Sequence, residues 1–226
     1  MKALAVSRRL HLWECRRAVR PGAPLMIDDT LVPRQLFGGA ASLWLPQRFA
    51  DISDFRPIPD HQEVFADANV DQSLVVEIVE HQPVADSEAG AFFFQDQAQH
   101  NEAAHTQMDE VHQLGPADMP GLPAECYRGL VVGQQLVAKG RQGTSALNKV
   151  QVLLCCVRLP HVGSDVLITL NSPIFISERS AAAEHAGAGY KGVHLTAPAL
   201  FRQILATFSI ADWGLFDGGD GGGAPQ

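Results

Sequence analysis

Three apolar runs in the second half of the chain decide the fold class: YRGLVVGQQLVAKG (127–140), ALNKVQVLLCCVRLP (146–160) and SDVLITLNSP (164–173). Each run is rich in β-branched residues and is bounded by turn-forming residues. This spacing predicts three strands of an antiparallel meander. Cys155 and Cys156 are neighbours on the second strand, so their side chains should point to opposite faces. We interpret the four cysteines of the chain as reduced, partly buried thiols.

The segments around the meander supply further elements. QLFGGAASLWLP (35–46) predicts a bent strand or hairpin edge, and QEVFAD (62–67) predicts a short strand. Apolar residues recur at helical spacing in 71–82, and helices are also predicted over 88–104 and 198–213. The small residues of 177–192 suggest a loop insertion. We therefore predict an α/β fold: a central antiparallel sheet flanked by helices, as an α/β/α sandwich.

Length and composition predict one domain with two appendages. The chain has 226 residues, of which 46% are hydrophobic, and 34–217 is expected to form the single folded domain. Residues 1–33 are basic and are expected to be a disordered or targeting extension. The Gly-rich residues 218–226 are expected to be a disordered tail. The sequence has no run of eighteen apolar residues, so no membrane insertion is expected.

Charge is unevenly distributed along the chain. Residues 51–126 carry sixteen Asp/Glu against one cation, Arg56, whereas residues 1–50 carry eight Lys/Arg against three Asp/Glu. An acidic central segment disfavours nucleic acid and anionic membranes as partners, because both require a positive surface. It favours a basic protein partner, with an attraction that weakens as salt rises. Solubility alone remains the alternative explanation at this point.

The sequence lacks the patterns that mark common catalytic sites. It contains no phosphate-binding G-x-x-x-x-G-K-[ST] or G-x-G-x-x-G and no G-x-S-x-G. The cysteines have no zinc-ligand spacing, and the spacing of His100, His105 and His112 places no pair at i, i+4. We therefore expect no metal, no cofactor and no covalent catalysis.

The stretch RPIPDHQEVFADANVDQ (56–72) concentrates acid beside two prolines. Residues 51–56 fit one helical turn that Asp51 or Ser53 can cap, and Pro57 and Pro59 then impose an extended path. Such a stretch is either a solvated turn or a docking surface for a basic partner. Residue types alone leave both readings open.

Four motifs together resemble the Ran guanine nucleotide release factor family: QLFGGAASLWLP, DISDFRPIPDHQEVFAD, DQSLVVEIVEH and LTAPALFRQILATFSIADWGLF. The resemblance covers most of 34–217 and is most specific over 51–73. It implies a PsbP-like α/β/α sandwich that binds the small GTPase Ran and promotes release of its guanine nucleotide, supporting nuclear import. The implied protein is a GTPase regulator of the nucleus and cytoplasm. The Ran-binding residues carried over are Asp60 and Glu63, with Asp51, Asp54 and Asp71 as further candidates.

A different class of function is implied by the same fold. The alternative is a PsbP-like structural or assembly protein of the chloroplast lumen. In that case the basic N-terminus would be a transit peptide. We expect a monomer in either case. We also expect residues 1–33 to be dispensable for folding, and Asp60 and Glu63 to be exposed, contributing to function more than to stability.

Overall fold

A computed structural model describes residues 29–138, 146–190 and 197–217. In chain order, the strands in these ranges are β1 (Leu31–Leu36), β2 (Ala41–Pro46), β3 (Ala50–Asp51), β4 (Gln62–Asp67), β5 (Gln72–Glu80), β6 (His105–Gln113), β7 (Tyr127–Ala138), β8 (Leu147–Leu159), β9 (Ser164–Ile176), β10 (Gly189–Tyr190) and β11 (Ser209–Ile210). The helices are α1 (Asp86–His100), α2 (Ala183–Ala186) and α3 (Ala197–Thr207). None of the helices in these ranges has the length and apolar character needed to cross a membrane.

The strands of the described residues form two antiparallel sheets. The large sheet has the order β3-β4-β5-β9-β8-β7-β6, and β10 pairs with the end of β9. The small sheet has the order β1-β2-β11. The predicted meander is confirmed, because β7, β8 and β9 pair in sequence over most of their length.

Layers of helix and strand cover both faces of the large sheet. On one face, α3 and the small sheet enclose the main apolar core, to which Leu43, Leu153 and Phe201 belong. On the other face, α1 buries Phe93 and Phe94 against the strands of the meander. The α/β class with a central antiparallel sheet is therefore confirmed, although one outer layer is partly sheet.

The two adjacent cysteines point to opposite faces of β8, as their alternation predicts. Cys155 lies in the main core, and Cys156 packs beneath α1. Both thiols are free, like that of Cys126. Burial raises the pKa of Cys155 to about 12 and also raises the pKa of Cys156, so neither thiol is a reactive thiolate near neutral pH.

The prediction of a helix over 71–82 is wrong. Residues 72–80 of this range form β5, which lies between β4 and β9 in the large sheet. Leu74 and Val76 enter the main core, while Val75 packs on the opposite face with Val64. A strand that is buried on both faces has no alternation of apolar and polar residues, and its apolar run can imitate a helical stripe. The β-branched residues of this run favour the strand.

The other predicted elements have the expected type of secondary structure, but their boundaries differ from the prediction. The Gly-Gly segment is the turn of the β1–β2 hairpin, and Gly38 and Gly39 have positive φ values of 66° and 97°. Helix α1 begins two residues before the predicted start, and α3 ends at Thr207. Within the predicted loop 177–192, the described residues form the short elements α2 and β10. The predicted tail 218–226 lies outside the described residues.

The first strand begins at Leu31, three residues before the expected start of the domain. Leu31 and Val32 pair with Pro46 and Leu45. Before the strand, Asp29 forms an ion pair with Arg48 Nε at 2.9 Å. Residues 29–33 therefore belong to the folded body.

We expect a chain starting at Arg34 to be less stable than one starting at Asp28. It loses half of the β1–β2 ladder, the packing of Leu31 on the core and the Asp29–Arg48 ion pair. The expected cost is about 2 kcal/mol, or roughly 4–8 °C in Tm for a domain of this size. Thermal unfolding followed by circular dichroism would measure it. Equal midpoints would show that the first half of β1 contributes nothing.

Candidate functional site

A loop over 52–61 and the strand that follows it position the acidic residues. Ile52 and Ile58 fasten this loop by packing with Val64 of β4. The amides of Phe55 and Arg56 donate to the carbonyl of Ile52 at 3.0 and 3.1 Å, which is the predicted helical turn. The Asp51 carboxylate caps this turn by accepting from the amide of Ser53 at 2.8 Å. The loop is therefore anchored at both ends and can present its polar side chains outward.

Glu63 lies on β4 and forms a hydrogen bond to the β1–β2 hairpin. Its side chain is on the same face of β4 as the core residue Phe65, and it is half-buried. Its Oε1 accepts a hydrogen bond at 2.5 Å from the amide of Phe37, in the turn of the β1–β2 hairpin. Phe37 itself has a φ of 51°, an uncommon value for a residue other than glycine. The carboxylate is therefore held in one place by backbone.

This environment changes the acidity of Glu63. Burial raises its pKa, the hydrogen bond from Phe37 lowers it, and the negative charge of Asp51 raises it again, with a net upward shift. The expectation that Glu63 is exposed is therefore wrong, because its side chain is half-buried and accepts a backbone hydrogen bond. Because the pKa is raised, Glu63 loses its charge at a higher pH than an exposed glutamate does.

Asp54 and Asp60 are exposed on the same loop, as expected for Asp60. Asp60 follows Pro59, whose carbonyl accepts from the amide of Gln62 at 2.9 Å at the entrance to β4. Phe55, next to Asp54, has 50% of its side chain exposed. We call Asp51, Asp54, Asp60 and Glu63, with Phe55, the docking surface.

The ion pairs of the described residues leave out the carboxylates of the docking surface. Within the part of the chain that the structure describes, none of the four forms an ion pair with a Lys, Arg or His. Arg56 lies on the same loop, but its buried Nε and Nη2 have no hydrogen-bond partner among the described residues. Ion pairs within the described residues therefore do not neutralise the negative charge of this surface.

Asp71 is not brought to the docking surface. It has a φ of 58° in the turn between β4 and β5, beyond the end of β4 that is distant from Glu63. Four residue steps along β4 separate Glu63 from Asp67, about 13 Å, and Asp71 lies beyond Asp67. Asp67, at this end of β4, is also neutralised, since its carboxylate forms an ion pair with Arg48 Nη1 at 3.0 Å.

Arg48 and Phe37 are the residues of this region that the sequence did not reveal. The Arg48 guanidinium joins Asp29, Asp67 and the amide oxygen of Gln72, the last at 2.6 Å. It thereby fastens the start of β1 to the β4–β5 hairpin. Phe37 lies in the motif QLFGGAASLWLP and Arg48 just after it, but both act through residues distant in sequence.

Metal ligation finds no support among the described residues, where no three His, Cys, Asp or Glu side chains are grouped to hold an ion. The carboxylates of the docking surface can instead accept hydrogen bonds and attract cationic side chains. That is the chemistry of recognition.

Comparison with known sequences gives consistent results. A family described as Ran-interacting Mog1 protein matches residues 34–173. The Ran guanine nucleotide release factor of Danio rerio is 36% identical over 81% of this chain and 98% of its own length. The probable Ran guanine nucleotide release factor of Dictyostelium discoideum is 31% identical over 84% of this chain and 98% of its own length. The nuclear import protein mog1 of Schizosaccharomyces pombe is 30% identical over 62% of this chain and 76% of its own length.

Solved structures share the fold at lower sequence identity. The Ran-binding protein Mog1p of Saccharomyces cerevisiae superposes with a TM-score of 0.57 and 20% identity, covering 83% of this chain and 99% of its own. A Mog1 mutant with one glutamate replaced by alanine gives the same TM-score at 22% identity, covering 83% and 99%. The cyanobacterial PsbP protein of Synechocystis gives a TM-score of 0.47 at 11% identity, covering 85% and 98%.

Proposed function

Because this chain belongs to the Mog1 family of Ran-interacting proteins, we propose that it binds the small GTPase Ran and promotes release of the bound guanine nucleotide. The proposed contact is the docking surface, with Asp60 and Glu63 as its principal residues and Asp51 and Asp54 beside them. Asp71 lies outside this surface. The protein acts as a regulator without covalent catalysis.

One observation carries this assignment: a carboxylate held by a backbone amide stands beside exposed carboxylates that form no ion pair in the part of the chain that the structure describes. The Phe37 amide holds Glu63, and Ile52 and Ile58 hold the loop that bears Asp60. A fixed group loses little conformational entropy when a partner binds. A solvated turn has no need of such anchoring, which makes docking the better explanation of the acidic stretch.

Release requires only a difference in affinity between two states of the GTPase. Consider a protein that binds the nucleotide-free GTPase more tightly than the loaded GTPase. It lowers the affinity of the GTPase for its nucleotide by the same ratio, because the coupling is reciprocal. A carboxylate of the docking surface can compete with phosphate for a lysine or for backbone amides of the nucleotide site. It can also displace a neighbouring loop of the GTPase. Both routes use binding energy alone.

The proposed role places the protein in nuclear transport, in the nucleus and cytoplasm. Curated relatives from two yeasts are named nuclear import proteins. The alternative of organelle targeting depends on residues 1–28, which lie outside the described residues. A fluorescent fusion of the full chain would locate the protein, and accumulation in an organelle would contradict the nuclear role.

We expect the affinity for Ran to fall as salt rises. The docking surface contributes negative charges that form no ion pair within the described ranges, and salt screens the attraction of such charges to a basic surface. Isothermal titration with nucleotide-free and loaded Ran, from about 50 to 500 mM NaCl, measures both the salt dependence and the preference between the two forms. An affinity that is constant over this range would remove the electrostatic basis of the proposal, and absence of binding to either form would remove the proposal itself.

A further inference from the structure

Uncharged polar side chains lie buried between helix α1 and the strands β6 and β7, at the sheet edge opposite the docking surface. Three of their atoms have no hydrogen-bond partner among the described residues: Gln97 Oε1, Thr106 Oγ1 and Gln135 Nε2. Buried polar atoms in folded proteins are nearly always paired with protein groups or with ordered water. We propose that these three atoms together bind one internal water molecule. We call the three residues, with Asn101, the polar niche.

The β6–β7 ladder brings two of these side chains together. Thr106 of β6 lies directly opposite Gln135 of β7 in the register of the two strands. Opposed residues of an antiparallel pair lie on the same face of the sheet, with Cβ atoms about 5 Å apart. Gln135 has only 1% of its surface exposed. Its neighbour across β8, Val150, packs against the apolar cluster that contains Phe94 of α1. The two side chains therefore lie on the face that α1 covers.

Helix α1 places Gln97 over this pair. Gly133 of β7 lies so close to the Phe94 ring that a Cβ at this position would clash with it. Further along both elements, Asn101 Nδ2 donates to Gln135 Oε1 at 3.0 Å. Gln97 lies between Phe94 and Asn101 and is about one helical turn from each, so its side chain is on the same face of α1. Its buried Oε1 is therefore directed at the sheet beside Gln135.

The hydrogen-bonding groups of the polar niche match those of a single water molecule. Gln135 Oε1 accepts from Asn101, so the Nε2 of Gln135 remains as a donor, whereas Gln97 Oε1 is an acceptor. The Thr106 hydroxyl can donate or accept. A water that accepts from Gln135, donates to Gln97 and bonds to Thr106 makes the three bonds that are usual for a buried water. None of these side chains is charged, which favours a neutral ligand over an ion.

The bound water links the last turns of α1 to the edge of the large sheet. Almost every residue of β6 is exposed, so this strand gains little from apolar burial. A water that bridges protein groups is nearly as favourable in enthalpy as a direct hydrogen bond. Loss of one of its three protein partners should therefore weaken the attachment of α1 to the edge strand. This inference does not depend on the proposed function.

A crystal structure of the full chain, at a resolution that shows ordered water, tests the site directly. We expect one well-ordered water within hydrogen-bond distance, about 2.7–3.2 Å, of Gln97 Oε1, Thr106 Oγ1 and Gln135 Nε2. Direct hydrogen bonds among these three side chains, with no water between them, would overturn the inference.

Two substitutions measure what the water contributes to stability. Gln97→Met keeps the shape of the side chain but removes its acceptor, and Thr106→Val removes the hydroxyl. Each should raise the equilibrium constant for unfolding in urea about tenfold. The double variant should fall short of the product of the two effects, because both act through one water.

Gln99→Met is the matched control, since Gln99 lies on the same helix but is exposed. Its equilibrium constant for unfolding should stay within about twofold of wild type. If Gln97→Met unfolded as Gln99→Met does, or if the effects of Gln97→Met and Thr106→Val simply multiplied, the shared water would be refuted.

Discussion

Asp165→Ala should cost about 3–5 kcal/mol of folding stability, the largest effect that we expect from a single substitution. Asp165 is fully buried on β9, directly opposite the buried Arg158 of β8. Its carboxylate lies 3.1 Å from Arg158 Nε and 2.8 Å from His81 Nδ1, and it accepts from the amide of Gln82 at 3.2 Å. Alanine would leave the buried guanidinium with only the more distant, mostly exposed Asp86 as a counter-charge.

The same cluster also fixes the connection between β5 and α1. Arg158 donates to the carbonyls of Gln82 and Val84 at 2.7 and 3.2 Å. Urea unfolding monitored by circular dichroism measures the loss. Asp86→Ala is the matched control: Asp86 lies 3.8 Å from the same Arg158 Nε but is mostly exposed, so its removal should cost less than about 1 kcal/mol. If both variants lost an equally small free energy of unfolding, the buried Asp165–Arg158 pair would not stabilise the fold.

Glu63→Gln should weaken Ran binding by about 2 kcal/mol or more, roughly thirtyfold, while leaving the fold intact. Glutamine keeps an oxygen that can accept from the Phe37 amide but removes the charge. The raised pKa means that folding favours the protonated carboxyl, so the stability it contributes is present at low pH and is lost as pH rises through the folded pKa. Because folding disfavours the ionised carboxylate, the glutamine variant should unfold no more readily than wild type near pH 7.

Glu63→Ala separates the two roles of this side chain. It removes the charge and also leaves the Phe37 amide without its acceptor, so it should cost about 1–3 kcal/mol of stability in addition to the loss of binding. Asp60→Asn should reduce binding alone, because Asp60 is exposed. Glu110→Gln on β6 is the control of equal charge change at the opposite edge of the sheet. Wild-type binding by Glu63→Gln and Asp60→Asn would return the acidic stretch to the role of a solvated turn.

The meander could be predicted from sequence because its strands carry long β-branched runs with clear turns between them. Strand β5 could not be identified by periodicity, since burial on both faces removes the alternation that marks a strand. Its place between β4 and β9 depends on pairings with residues about a hundred positions away, such as Ser73 with Asn171. Sequence reasoning from local windows does not reach such contacts.

The sequence suggested residues for the candidate site but could not show the environment of each side chain. The motif over 51–73 indicated Asp60 and Glu63, but it gave Glu63 the character of an exposed charge. The hydrogen bond from Phe37 joins residues 26 positions apart, and only the folded hairpin brings them together. The same holds for Asp71, which is close to the motif in sequence but lies beyond the far end of β4.

The central claim is that the docking surface drives nucleotide release, and the rate of that release tests it most directly. Ran loaded with a fluorescent guanine nucleotide would be mixed with excess unlabelled nucleotide and either wild-type protein or the Glu63→Gln variant. We expect wild type to accelerate release and the variant to fall at least tenfold short of it at equal concentration. Release at the wild-type rate by the variant, or no acceleration by wild type, would contradict the account.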